Sequence, residues 1–309
     1  MTYTHPFPSD QRRASKAVKR LIFATTIVSI FSIFITQLFS QASEYTNLQK
    51  LFSLSWNGFQ NFFIWQPFTY MFVHSTANYT PIFFIFHLSF NMILLWFIGT
   101  SLVEDLGSKP FLRLYFSSGI IAGLTSLFFM WLTQNTQLIA GCTPSIFAIL
   151  IVWSMLFPEF ELLVFLAFPM KAKWLVLGYL SIDLLVNLSD ANFVISFMNL
   201  SAILVAYLYA TLAWNLQSPF SSIHSLDLWL NKIGAHFRKK RQESQAITKQ
   251  IYQNIKIYDF KTGEAIAKDD EFVDIMLSKV SLYGEDSLTW KERRRLKKIS
   301  QRKKEEQQT

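Results

Sequence analysis

Residues 21–39 read LIFATTIVSIFSIFITQLF, with no ionisable side chain among them. Such a run is long enough to cross a bilayer as one helix, and its apolar surface fits hydrocarbon better than water. Five further segments repeat the pattern, over 80–103, 111–133, 138–157, 172–188 and 194–213. Each comes near the roughly 20 residues that a spanning helix needs. The chain is 51% hydrophobic and only 16% charged, with 31 Phe, which excludes an ordinary soluble domain. The fold expected is an all-α polytopic membrane protein with six spans.

The first span follows Arg12, Arg13, Lys16, Lys19 and Arg20. Its apolar stretch exceeds the core of a secretory signal, so although Ser40–Ala42 resembles a cleavage site, the segment reads as an uncleaved anchor. Counting alternate sides from a cytosolic N-terminus, inside segments hold 28 of the 29 Lys and Arg, and outside segments only Lys50. The positive-inside rule therefore predicts both termini in the cytosol, and the location expected is a bacterial inner membrane. From Trp214 onward there are 19 basic and 13 acidic residues, so most of the net +8 belongs to the tail. Spans two, four and six then begin at the outer face.

Between spans one and two, WNGFQNFFIWQPFTYMF (56–72) is too aromatic for a solvated loop and is expected in the headgroup layer. Gly119 and Gly123 make a GxxxG that permits close helix contact in span three. The single cysteine, Cys142, excludes an intramolecular disulfide framework and a cysteine-based zinc site, and no pattern calls for a metal or cofactor.

Polar side chains within spans are costly, so each marks a candidate site or an interhelical hydrogen bond. His87 and Asn91 share one face of span two at i and i+4. Span four opens with Gly141-Cys142-Thr143-Pro144-Ser145, a helix start whose free N–H groups suit a developing oxyanion. Span six carries Asn199, followed by Ala202 and Ala206, and span five carries Asp183 with Asn187. Because spans two, four and six all start outside, His87, Asn91, Thr143 and Asn199 are expected at comparable depth in one pocket. Asp183 has three possible partners: a protonated His87, Asn199 across the bundle, or water.

The runs WQPFTYMFVH (65–74), HLSFNM (87–92), FIGTSLVEDLGSKPFLRLYFSSGIIAGL (97–124), GCTPSIFAIL (141–150), FPMKAKW (168–174) and NLSAILVAYLYA (199–210) together resemble the rhomboid family of intramembrane serine proteases. The likeness covers residues 20–214 and implies a six-transmembrane-helix rhomboid-like bundle. Residues 269–300 resemble a helical hairpin appended to some bacterial rhomboids, with Thr289 and Glu292 as a capping box and Gly284 at the turn. The domain organisation read from this is a basic cytosolic N-terminus (1–20), the membrane domain (21–214), a linker (215–268) and a basic cytosolic hairpin (269–309).

The resemblance places a nucleophilic Ser at the head of helix four and a base His on helix six. Here Thr143 stands at the Ser position, Pro144 at the following Gly, Asn199 at the His, and Ala202 and Ala206 at two glycines. His87 and Asn91 match positions that line the oxyanion site, and Phe147 matches an aromatic that supports the base. A hydroxyl needs a base of suitable pKa within hydrogen-bond reach, and a carboxamide does not titrate near neutrality. His74, in the outer loop, is poorly placed to replace it.

The expected function is that of a catalytically inactive rhomboid relative that binds or handles client transmembrane segments. The rival is an intramembrane endopeptidase using Thr143 or Ser145 as an atypical nucleophile. Client transmembrane proteins and the lipid bilayer are the expected partners. The tail, with KERRRLKK at 291–298, suits an acidic protein or anionic lipid, and nucleic acid is the weakest of its candidates.

Overall fold

The computed structural model describes residues 16–38, 48–74, 81–164, 168–236 and 238, together with parts of 272–306. Arg12, Arg13, Ser40–Ala42 and Thr289 lie outside the described residues. The chain divides into two compact units, Met1–Arg238 and Lys239–Thr309.

In the first unit the long helices are α1 (Lys16–Leu38), α5 (Pro81–Leu106), α6 (Ser108–Thr133), α8 (Ala172–Ser189) and α9 (Phe193–Trp214). All five are long and apolar enough to cross a membrane. Short helices α2 (Leu48–Phe52), α3 (Trp56–Gln60) and α4 (Gln66–Thr69) build the loop between α1 and α5, and α7 (Thr143–Leu156) is a sixth apolar helix of 14 residues. Phe23, Phe31 and Phe34 of α1 and Phe83, Phe86 and Phe90 of α5 point outward, a surface that hydrocarbon solvates and water does not.

Helix α7 starts later than the expected span over 138–157 because the residues before it are used in backbone pairing. Leu54 N–H donates to the Ile139 carbonyl at 2.8 Å, Ile139 N–H returns to Leu54 at 2.9 Å, and Gly141 N–H donates to the Tyr70 carbonyl at 2.9 Å. Gly141 sits at φ +132, which a side chain would strain. From Thr143 on, the helix is the centre of the bundle, packed against α5, α6, α8 and α9, with twelve of its residues buried.

Helices α6 and α9 make the other main seam, where Ala202, Ala206 and Ala210 are fully buried at a spacing of four and let the backbones approach. The GxxxG groove of α6 accepts loop residues as well as a helix. Tyr70 donates its hydroxyl to the Gly119 carbonyl at 2.6 Å, and Met71 and Ser145 lie over Gly119. The loop itself is a folded element with two faces. Ser55 caps α3 by accepting from Gly58 N–H at 3.0 Å. Buried Gln66 accepts from Ser55 N–H at 3.1 Å and donates to the Lys50 carbonyl at 3.0 Å. Phe62, 82% exposed, and Ile64 face outward.

The all-α expectation needs one amendment. Strands β1 (Glu161–Val164) and β2 (Phe168–Lys171) pair antiparallel between α7 and α8, with Glu161 opposite Lys171. Pro169, which has no N–H to give a ladder, sits in this two-stranded piece, where it has only one neighbour to satisfy. Glu159 bonds to Lys171 at 2.7 Å and to Lys173, and these two ammonium groups hold its carboxyl down at about 2.

Residues 215–238, expected to open the linker, pack back on the membrane unit. A helix over 224–236 brings Asp227 to the Tyr207 hydroxyl and the Ser218 N–H, the latter at 2.9 Å. Arg238 donates to the Leu212 carbonyl at 2.7 Å, satisfying an acceptor that the end of α9 leaves open. Ser, Asn, His, Asp and Lys interrupt the apolar residues of this segment, and it reads as linker for that reason.

In the second unit, helical turns lie within 272–281, Gly284 takes φ +81 and donates to the Val280 carbonyl at 2.8 Å, and a helix runs over Trp290–Glu306. The Arg295 guanidinium stacks over the Phe272 ring at 4.1 Å.

Candidate functional site

Helix α5 delivers His87 and Asn91 one turn apart. Asn91 is 2% exposed, and among the described residues its Nδ2 has no hydrogen-bond partner, so an amide donor is held in the bundle with its valence unspent. The ring of His87 lies edge-on to that of His74, with centroids 5.9 Å apart.

His74 is a site neighbour that the sequence reading set aside. It is buried. The Ser29 hydroxyl donates to the Phe72 carbonyl at 3.1 Å, so its oxygen accepts from His74 Nδ1–H at 3.0 Å. The lone pair then falls on Nε2, which lies 3.7 Å from Cys142 Sγ. Burial first, and the neighbouring His87 second, push the His74 imidazole down to about 3. The ring is therefore neutral at ordinary pH and joins α1, the loop and the head of α7. What the sequence offered was only its place at the end of the WQPFTYMFVH run.

At the head of α7, Thr143 is partly exposed, whereas Cys142 and Ser145 are fully buried. Pro144 occupies the first turn and removes one of the N–H groups that a helix start would offer to an oxyanion. Ser145, two residues beyond Thr143, turns to the opposite side of the helix and donates to the Tyr115 carbonyl of α6 at 2.9 Å. Phe147, one turn after Thr143, packs edge-on against Tyr179 of α8 at 5.4 Å, and Phe90 of α5 meets the same ring at 6.0 Å.

Helix α9 presents Asn199, 5% exposed, to α8. Asn199 Nδ2 donates to Asp183 Oδ2 at 2.8 Å, the second of the partners considered for Asp183. Asn187 Nδ2 donates to the Asp183 main-chain carbonyl at 2.8 Å. Along α8 the buried stripe Ala172, Val176, Leu180 continues into half-buried Asp183 and Asn187, so an apolar seam becomes polar over its last two turns. Among the described residues no hydrogen bond connects Thr143 with Asn199.

The site thus divides into two groups. Thr143, Gly141, His74 and His87 lie along the heads of α7 and α5, and a Cβ placed on Gly141 would stand 3.8 Å from His74 Nε2 and 3.9 Å from Thr143 Oγ1. Asn199, Asp183 and Tyr179 lie between α8 and α9, joined to the first group through Phe147. A hydroxyl and oriented amides are present. Thr143 has no hydrogen-bonded base among the described residues, because its neighbouring imidazole points at a thiol and the α9 position holds a carboxamide.

Comparison with known proteins agrees with this architecture. The Rhomboid domain model matches residues 61–216. Over 88 residues the chain is 40% identical to rhomboid protein 1, mitochondrial, of Saccharomyces cerevisiae, a match covering 27% of this chain and 24% of that protein. The aligned part is about a quarter of the relative's length, and it carries the family likeness and not the relative's whole activity. With the domain match extending from the loop through α9, this chain belongs to the rhomboid family and is an integral membrane protein.

Proposed function

We propose that this protein is a non-cleaving rhomboid relative that holds client transmembrane segments against the polar groups of α5, α7, α8 and α9. The carrying observation is the Asn199–Asp183 hydrogen bond: the position at which the family places its base is filled by an amide already committed to a carboxylate. An amide in that role aligns and donates but takes up no proton near neutrality. Losing one member of a dyad costs several orders of magnitude in rate. The partly exposed Thr143 hydroxyl leaves a polar group that a client backbone can use.

In this reading α7 is the sixth crossing, shielded from lipid by its neighbours, both termini face the cytosol by the basic-residue distribution, and the second unit is a cytosolic basic hairpin. The inner membrane of a bacterium fits that charge pattern. The test is a single-span reporter helix co-reconstituted with the full chain in proteoliposomes beside an active rhomboid protease. The expected result is co-purification of intact reporter while the control cleaves it. Cleavage that disappears on Thr143→Ala or Ser145→Ala would establish the rival endopeptidase instead.

A further inference from the structure

Asp183 is a carboxylate inside a membrane-spanning helix, and such groups persist where a partner or a function compensates their desolvation. Its surroundings give it amides and no cation. Oδ2 accepts from Asn199 Nδ2 at 2.8 Å, and the main-chain carbonyl accepts from Asn187. The ion pairs formed by the described residues join Glu159 to Lys171 and Lys173, and none includes Asp183. In this contact Asn199 turns its NH2 toward the carboxyl of Asp183. The amide oxygen Asn199 Oδ1 then points away from Asp183.

The outcome is a paired set of acceptors. The Asp183 carboxylate is surrounded by the amides of Asn199 and Asn187 and by no cation, and Asn199 Oδ1 lacks a donor among the described residues, at the outer end of a seam whose inner part is apolar. Asp183 lies six residues before the end of α8 at Ser189, and Asn199 six residues after the start of α9 at Phe193. At the helical rise both are about 9 Å inside the helix ends. Helix α8 buries only Ala172, Val176 and Leu180, with Ile182, Leu185 and Val186 exposed, so another helix can reach this edge from the lipid.

We propose that Asp183, oriented by Asn199, is a recognition site for a cationic side chain, Lys or Arg, carried within a client transmembrane segment. The inference rests on the client-holding reading and names the class of client. A lysine crossing this level of the bilayer would trade lipid for a carboxylate and an amide oxygen, which offsets its cost of insertion. An all-apolar helix would leave the carboxylate without a cation.

The experiment uses the full chain in phosphatidylcholine proteoliposomes with three synthetic leucine-rich spanning helices. They differ only in carrying Lys, Leu or Glu about 9 Å from the outer end, a position set by the helical rise. Association is measured by energy transfer. The expected result is at least tenfold tighter association of the Lys helix than the Leu helix, with the Glu helix weakest, and a Lys-to-Leu ratio near one for Asp183→Asn. The charge swap Asp183→Lys should reverse the order in favour of the Glu helix. Equal association of the Lys and Leu helices with the unaltered protein overturns the inference while leaving client holding intact. A tenfold ratio that survives Asp183→Asn also overturns it. Absence of association by all three helices ends both readings, whereas Thr143-dependent cleavage accompanied by the Lys preference ends only the non-cleaving one.

Discussion

Asn199 Nδ2 and Asp183 Oδ2 are 2.8 Å apart across the α8–α9 interface. An amide at this point can only donate to the carboxylate, whereas an imidazole would donate from one nitrogen and keep the other as a base toward α7. The relationship leaves a geometry into which an imidazole could be placed.

Restoring the missing groups follows from that geometry. The Thr143→Ser, Asn199→His double variant places a less crowded hydroxyl opposite an imidazole that Asp183 can orient. It is expected to label with a fluorophosphonate at least about tenfold above the unaltered protein, given what a dyad member contributes. Either single substitution should stay at background. Labelling of the unaltered protein that vanishes on Thr143→Ala would contradict the assignment.

Removing the donor has a cost in stability. Asn199→Ala leaves Asp183 Oδ2 without its hydrogen bond in a half-buried setting, and should lower unfolding free energy by about 1.5–3 kcal/mol, the range for hydrogen bonds to charged groups. Denaturation in mixed micelles measures it. The accompanying Asp183→Asn change should recover part of the loss, since a neutral amide tolerates desolvation better.

Acid should loosen the head of α7 through His74. Its folded-state value is lowered to about 3 from an ordinary 6.5, so the imidazole stays neutral when folded and takes up a proton when unfolded. Stability from this group is complete above pH 6.5 and falls as pH drops toward 3, by up to about 1.4 kcal/mol per pH unit. Melting curves in detergent between pH 7.5 and about 4.5 should show the slope, and His74→Gln should flatten it. An identical slope in the variant would remove His74 as the cause.

Two glycine substitutions should move in opposite directions. A Cβ at Gly119 would sit 2.4 Å from Met71 Cε and from Ser145 Oγ, whereas one at Gly178 meets nothing within 4 Å. Gly119→Ala is expected to destabilise by about 1–3 kcal/mol through overpacking. Gly178→Ala should stabilise by up to about 1 kcal/mol through helix propensity. Thermal unfolding of the pair compares them directly.

Much of this protein is written in its hydropathy. Residues 172–188 and 194–213 were read within one residue of α8 and α9, because a bilayer demands unbroken apolar helices and that demand leaves a mark on every residue in the span. That Asn199 is a carboxamide and not an imidazole is likewise plain in the sequence. The family likeness in the runs over 65–210 was legible too, and the domain match over 61–216 agrees with it.

Where long-range pairing decided, the sequence was silent. Residues 138–142 are apolar enough for a span, but their N–H and carbonyl groups bond to Leu54 and Tyr70, which lie more than 65 positions earlier in the chain. Ser145 and Thr143 look equivalent as hydroxyls, and only the packing of α7 on α6 gives Ser145 to the Tyr115 carbonyl. His74 reads as a loop residue until Ser29 and Cys142 close around it. Composition and periodicity act over one helix turn or one bilayer thickness, so the long apolar helices were legible from them. Which polar groups meet is a matter of contacts between helices distant in sequence, and only the assembled bundle set Asp183 beside Asn199.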